Sequence, residues 1–220
     1  MTDYLVLVSV GYLLGSIPFG VMAGWLVRRV DVRDFGSGST GMTNVLRTIG
    51  RPAAAIVLLL DMAKALSAVV VARVVSDEHG VEVAAALAAL VGHNWPVFIG
   101  FRGGKGAAPG WGGLLILSPP AGLVATVVGG LALVLSRYVS LGSVVAATAG
   151  SATLIVIAVT GHAPLVYIWY GAIGTALILA RHRDNIKRLL SGQERKLGQT
   201  VKGTSPKVGE RKGVGWPRSV

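Results

Sequence analysis

Apolar residues fall along this chain in blocks of roughly twenty, separated by short connectors rich in glycine, proline or charge. The blocks cover about 4–27, 53–75, 81–101, 121–136, 139–160 and 163–180. A hydrocarbon layer about 30 Å thick needs a helix of about 20 apolar residues to cross it, and each block meets that length or comes close. A shorter apolar piece at 106–118 is cut off from the next block by Pro119 and Pro120, because proline does not continue a preceding helix. It predicts a short or partly inserted helix. The expected fold is therefore all-α and integral to a membrane, with about seven transmembrane helices, one of them short.

Composition removes the soluble alternatives. The 220 residues are 52% hydrophobic and 14% charged, with a mean hydropathy of +0.64, which does not suit an ordinary soluble domain. The opening stretch MTDYLVLVSVGYLLG lacks a basic n-region and its apolar run continues through Leu26, so it reads as a retained span. The absence of cysteine excludes disulfides, thiolate metal sites and thioester catalysis.

A net charge of +11 fits nucleic acid, an anionic membrane or a phosphorylated substrate, and placement decides between them. Short loops rich in Lys and Arg stay on the cytoplasmic side. With seven spans, 19 of the 21 basic residues fall on one side, leaving Lys64 and Arg73 inside the second span. The amino end is thus expected outside and the carboxyl end in the cytoplasm; six spans would separate the first loop from the tail. Residues 1–191 form the expected membrane domain. Residues 192–220 read as a basic, glycine-rich tail, expected to be disordered and held loosely to anionic lipid rather than to nucleic acid.

The stretch GSGSTGMTNVLR at 36–47 contains G-x-G-x-x-G at Gly36, Gly38 and Gly41. A dinucleotide site requires a preceding strand and an acid on the ribose about 20 residues later, and here Asp61 lies within an apolar span. The same residues suit an anion instead. Glycines free the backbone, Ser37, Ser39, Thr40 and Thr43 offer hydroxyls, Asn44 an amide and Arg47 a guanidinium. A helix beginning near Thr43 would add its free N–H groups.

A second cluster, GFRGGKGAA at 100–108, sets Lys105 beside Gly103, Gly104 and Gly106 on the same membrane face. It is not a Walker loop, because the glycine spacing is one residue off and Gly106 stands where magnesium would need Ser or Thr. Ser140 and Ser143 share a helix face just inside the membrane boundary. His182 and Asn185 lie one turn apart after the last span, where the imidazole suits an acid, a base or a phosphate partner. Asp61 and Lys64 are expensive in hydrocarbon and either pair or face a polar interior. His93 caps or bonds the nearby loop. It has no second His or carboxylate at ligand spacing, so no metal is expected.

SIPFG at 16–20, DVRDFGSGSTGMTNVLR at 31–47, GHNWPVFIGFRGGKGAA at 92–108, YVSLGS at 138–143 and RHRDNIKRLLSG at 181–192 resemble, in order and spacing, the acyl-phosphate:glycerol-3-phosphate acyltransferase family of bacterial inner membranes. The resemblance implies a seven-span enzyme, without cofactor, that moves a fatty acyl group from acyl phosphate to the 1-hydroxyl of sn-glycerol 3-phosphate. The products would be lysophosphatidic acid and inorganic phosphate, in the first step of phospholipid synthesis. Neither acyl-CoA nor acyl carrier protein would be the direct donor. By matching position it implies phosphate contacts at Ser37, Thr43, Asn44 and Arg47 within the Gly38–Ser39–Gly41 loop. Lys105, in the Gly103–Gly104 turn, would hold a phosphate; Ser140 and Ser143 would line the site, with His182 and Asn185 closing it from the cytoplasmic side. The proton acceptor is left open between His182 and the departing phosphate. Ser39, Arg102 and Pro109 depart from the family's usual residues.

Other classes fit less well. A phosphate transporter places its site near the bilayer midplane, whereas these polar sets collect at one face. A non-catalytic subunit needs no such clusters. Acyl-CoA-type glycerol phosphate acyltransferases rely on a His with Asp five residues on, and none of His79, His93, His162 or His182 has one.

Overall fold

The computed structural model describes residues 2–199; of the tail expected at 192–220, residues 192–199 are described and those from 200 onward lie outside the described residues. No strand occurs among the described residues. Ten α-helices follow one another there: α1 Thr2–Ser16, α2 Phe19–Arg28, α3 Met42–Thr48, α4 Arg51–Val75, α5 His79–Asn94, α6 Ala107–Leu117, α7 Pro119–Ser136, α8 Val139–Val159, α9 Ile168–Arg181 and α10 Arg183–Leu190.

Proline sets two of the boundaries. Pro18 has no N–H to continue α1, so the chain breaks at Ile17 and restarts as α2. Pro119 and Pro120 occupy the first turn of α7, where no intrahelical donor is needed. Small residues then let helices meet closely. A methyl group at Gly11 or Gly15 of α1 would run into the backbones of Ala85 and Ala89 on α5, so these four positions form one small-residue seam. The interior is completed by Val69, Leu114, Leu117, Leu154 and Tyr170. Leu26, Val134 and Leu135 face outward and are largely exposed, the arrangement of a bundle whose solvent is lipid.

The apolar helices fall where the hydrophobic blocks lead one to expect them. Five stretches are long and apolar enough to cross a membrane, Tyr4–Arg28, Arg51–Val75, His79–Ile99, Pro119–Ser136 and Val139–Val159, with a sixth if Leu165–Arg181 and Arg183–Leu190, bent by 63°, count as one. The helix α6, with 11 residues, is about 16 Å long at 1.5 Å per residue, half of a hydrocarbon core. It is the one short member that the sequence leads to expect among the apolar helices. The short helix has a consequence for the site. Gly112 packs on the Met62 backbone, and Arg73 near the far end of α4 donates to the Ile116 carbonyl at 3.1 Å. Helix α6 thus begins well inside the bundle, and the turn that precedes it sinks below the ends of its neighbours.

Candidate functional site

The first loop is built on left-handed glycines and a buried amide. Gly36 and Gly38 have φ of +62° and +67°, a region that side chains rarely adopt. Asn44, on α3, knits the loop around itself. Its Nδ2 donates to the carbonyls of Val32 at 2.7 Å and Ser39 at 2.8 Å, and its Oδ1 accepts the Ser37 N–H at 3.0 Å. The Asn44 amide is thereby engaged in holding the loop's shape. Among the described residues the N–H groups of Met42 and Thr43 find no acceptor, and Arg47 makes neither an ion pair nor a hydrogen bond. Arg33, chelated by Asp31, donates to the Ile99 carbonyl at 2.7 Å and ties this loop to the next.

The second loop is fixed by its backbone. The Gly104 N–H donates to the His93 carbonyl at 2.9 Å. The Gly104 carbonyl accepts from Arg181 at 2.9 and 3.2 Å, and the guanidinium lies 5.3 Å over the Trp95 ring. Lys105 then projects across the space and donates to Asn185 Oδ1. Burial, followed by the positive charges of Arg188, Arg181 and Arg47, pushes the Lys105 amine down to about 8, with Glu194 opposing. Burial and the guanidinium groups of Arg195 and Arg188 lower Arg47 as well.

The third and fourth sets meet on the far wall. Ser143 donates to the Val139 carbonyl within α8 at 3.0 Å, while Ser140 donates at 2.8 Å to Glu194. That carboxylate also accepts from Asn185 at 2.7 Å and Arg188 at 2.7 Å. Burial raises the Glu194 carboxyl, but these three donors outweigh it and hold it below the usual carboxylate range. Nδ1 of His182 lies 2.9 Å from the Ile178 carbonyl, and a carbonyl only accepts, so Nδ1 carries the proton and Nε2 bears the free pair. Burial pushes this imidazole down to about 4, with Lys105 and Arg181 adding to the effect against the Ile178 bond and Glu194.

These groups enclose one cavity of about 1180 Å³. Ser37, Gly38, Ser39, Gly41, Thr43, Asn44, Arg47, Gly103, Lys105, Ser140, Ser143, His182 and Asn185 all line it; Gly104 lies behind the wall. The cavity continues inward between α6, α7 and α8 past Gly110, Leu114, Ala125, Gly129, Leu133 and Ala146, so a cationic, hydroxyl-rich mouth opens into an apolar channel. Several wall residues, among them His93, Arg181, Arg188 and Arg195, lie outside the sequence-predicted set, and two acids stand out. Glu194 was assigned to the tail, although it is the one acid between Asp184 and Glu210. Asp61 does pair with Lys64, at 2.9 Å, and also reaches the cavity wall.

Fold and cavity define an integral membrane protein with a sunken, cationic mouth joined to an apolar channel. The profile of the family described as Glycerol-3-phosphate acyltransferase matches residues 5–192, and the chain belongs to that family. It is 44% identical over 211 residues to Glycerol-3-phosphate acyltransferase 3 of Dehalococcoides mccartyi, with 89% of this chain and 96% of that protein covered. Against the glycerol-3-phosphate acyltransferase of Anaeromyxobacter sp. the identity is 46% over 198 residues, covering 88% and 96%. The crystal structure of PlsY (YgiH), an integral membrane glycerol 3-phosphate acyltransferase, in its glycerol 3-phosphate form superposes with a TM-score of 0.81 at 37% identity, covering 89% of this chain and 96% of that one. Its lysophosphatidic acid form gives 0.79 at the same identity, covering 89% and 95%.

Proposed function

We propose that this chain transfers a fatty acyl group from acyl phosphate to the 1-hydroxyl of sn-glycerol 3-phosphate, releasing 1-acyl-sn-glycerol 3-phosphate and inorganic phosphate. One observation carries the reading: Arg47, Lys105, His182 and Asn185 line the same cavity whose inner half is apolar. Two phosphate-bearing molecules share a site only where cations and N–H donors offset their charge, and a fatty chain needs the channel behind them. The forms of the related PlsY structures, one with glycerol 3-phosphate and one with lysophosphatidic acid, match a substrate and product of this reaction.

An acyl phosphate is a mixed anhydride, so its carbonyl is already activated. The 1-oxygen bonds to the acyl carbon, the bond from that carbon to the phosphate oxygen breaks, and the hydroxyl proton must leave. An imidazole lowered to about 4 is a weak acceptor, whereas the oxygen released on inorganic phosphate is more basic than a phosphate ester's, whose conjugate pKa is about 6. The departing phosphate is therefore the better destination. His182, neutral and with Nε2 free, serves as a hydrogen-bond acceptor that orients a hydroxyl. Arg47, which makes no ion pair or hydrogen bond among the described residues, and Lys105 hold the phosphates, with Ser37, Thr43 and the N–H groups at the start of α3 beside them. Asn44 acts by shaping the loop.

Topology follows from charge. The cavity mouth faces the cytoplasm, because the basic loops gather around it and the Arg137 carbonyl between α7 and α8 accepts the Leu197 N–H at 2.7 Å at that same end. Counting α6 as a crossing despite its length keeps the amino end outside and the carboxyl end in the cytoplasm. The test is direct: purified protein given palmitoyl phosphate and glycerol 3-phosphate releases phosphate and forms lysophosphatidic acid, and palmitoyl-CoA does not replace the donor. Turnover with palmitoyl-CoA alone would refute the donor assignment.

A further inference from the structure

Three charged or titratable side chains lie buried where the bundle's interior meets the cavity. Asp61 and Lys64 sit three residues apart on α4, joined at 2.9 Å, and their side chains are 2% and 3% exposed. His93, 4% exposed at the end of α5, brings Nδ1 to 3.5 Å from the same Asp61 oxygen. The second Asp61 oxygen is buried without a partner. Lys64 also donates at 3.2 Å to the Ile17 carbonyl, which accepts the Phe19 N–H at 3.1 Å as well, and stands 5.7 Å over the Phe19 ring.

Charges in such a place cost several kcal/mol each to desolvate, and helix packing does not require them. The neighbouring Ala65, Ala68 and Ala72 already pack α4 against Val81, Ala85 and Ala89 of α5. The cluster's other end shows what it braces. The His93 ring occupies the space where a Cβ of Gly104 would lie, and the His93 carbonyl takes the Gly104 N–H. Arg181 grips the Gly104 carbonyl from the opposite side. Gly104 is thus clamped between α5 and α9, and the next residue is Lys105.

We infer that Asp61, Lys64 and His93 form a buried ionic strut that holds the Gly103–Lys105 turn at its depth in the cavity, which makes Asp61 and His93 positioning residues for Lys105. The inference rests on the proposed function only in so far as Lys105 binds a substrate phosphate. Its mechanical part is independent. A turn released from His93 lets Lys105 rise toward water, away from Arg47 on α3, Arg181 on α9, Asn185 and Arg188 on α10, and His182 and Glu194 beside them, which are the groups that face it.

The experiment uses the full chain in nanodiscs. His93→Gln removes the ring while retaining a polar side chain. The Lys105 titration, followed by acylation with acetic anhydride across pH and mass spectrometry, needs no substrate. In the wild-type protein its midpoint is expected near 8, and in His93→Gln at least one unit higher, with KM for glycerol 3-phosphate or acyl phosphate raised about tenfold and kcat changed less. Gly104→Ala tests the clamp from the loop side: its methyl group collides with the ring and activity falls, while His93→Ala combined with Gly104→Ala recovers about tenfold over Gly104→Ala alone. An unmoved Lys105 midpoint in His93→Gln, or a double variant no better than Gly104→Ala, overturns the strut. Wild-type protein inactive with acyl phosphate but showing the shifted midpoint overturns the proposed reaction and leaves the strut standing.

Discussion

Lys105 donates a hydrogen bond to Asn185 across 80 residues of sequence, closing the cavity between the sunken glycine turn and α10. Asn185 in turn donates to Glu194 at 2.7 Å, so its amide fixes an ammonium on one side and a carboxylate on the other. Asn185→Ala leaves both without that partner. Losing a hydrogen bond to a charged group corresponds to about 1.5–3 kcal/mol, so kcat/KM is expected to fall roughly 10- to 150-fold. Asn185→Asp sets a second carboxylate against the incoming phosphates and is expected to fall further. Phosphate-release kinetics on both variants, with melting temperature as a control for folding, check the order.

The Lys105 amine sets a second expectation. Its pKa in the folded chain is about 8, below its ordinary 10.5 because burial disfavours the charged form. The ammonium that would hold phosphate is therefore present below pH 8 and lost above it, and kcat/KM is expected to decline through that pH. Stability of the unliganded protein runs the other way. The unfolded chain keeps the proton up to about 10.4, so raising the pH from 8 toward 10 removes a buried charge and favours folding. Lys105→Arg stays charged throughout, and its pH profile is expected to lack the limb near 8. Rate profiles at constant ionic strength, alongside melting curves, separate the two trends.

The membrane blocks and both glycine loops were legible because each leaves a local signature. Twenty apolar residues in a row have few uses outside a bilayer, and a lysine among three glycines exposes backbone to an anion. What stayed hidden depends on tertiary distance. Asn44 reads as a phosphate contact in the sequence, yet the fold directs its amide to Val32 and Ser39. Helix α6 reads as a short or partly inserted helix, but only its packing on Met62 and Arg73 shows that it lowers Lys105 into the bundle. Glu194 belongs by composition to the basic tail, and nothing local indicates that the chain turns back to lay it on Ser140.

Glu194 accepts from Ser140 on α8 and from Asn185 and Arg188 on α10, so it fastens two helices by one carboxylate. Glu194→Gln sets an amide donor against one of these donors and removes the negative charge that holds the Lys105 pKa up. The alkaline limb of activity is expected to move below pH 8, and stability to drop by about 1–3 kcal/mol. A limb that stays in place after the substitution would show that Glu194 exerts no field at Lys105. The limb is read from rate profiles and the stability from denaturant or thermal melts.

At the opposite end of the bundle, Glu82 gathers Arg73 at 2.8 Å, Tyr167 at 2.8 Å and His79 at 2.9 Å. None of these four lines the cavity, which separates stability from catalysis in a way the residues at the cavity mouth cannot. The carboxylate is buried while Arg73 and His79 are partly exposed, so the network joins α4, α5 and the turn before α9 rather than serving a ligand. Removing one partner of a buried ion pair leaves the other uncompensated, at about 3–5 kcal/mol. Glu82→Ala is expected near the lower end, because Arg73 can swing outward to water. The melting temperature should fall by several degrees while KM for both substrates stays within about twofold at temperatures where the variant is folded. A change in KM as large as that of Asn185→Ala would mean that the two ends are coupled through α4 and α5, the helices that also carry Asp61 and His93.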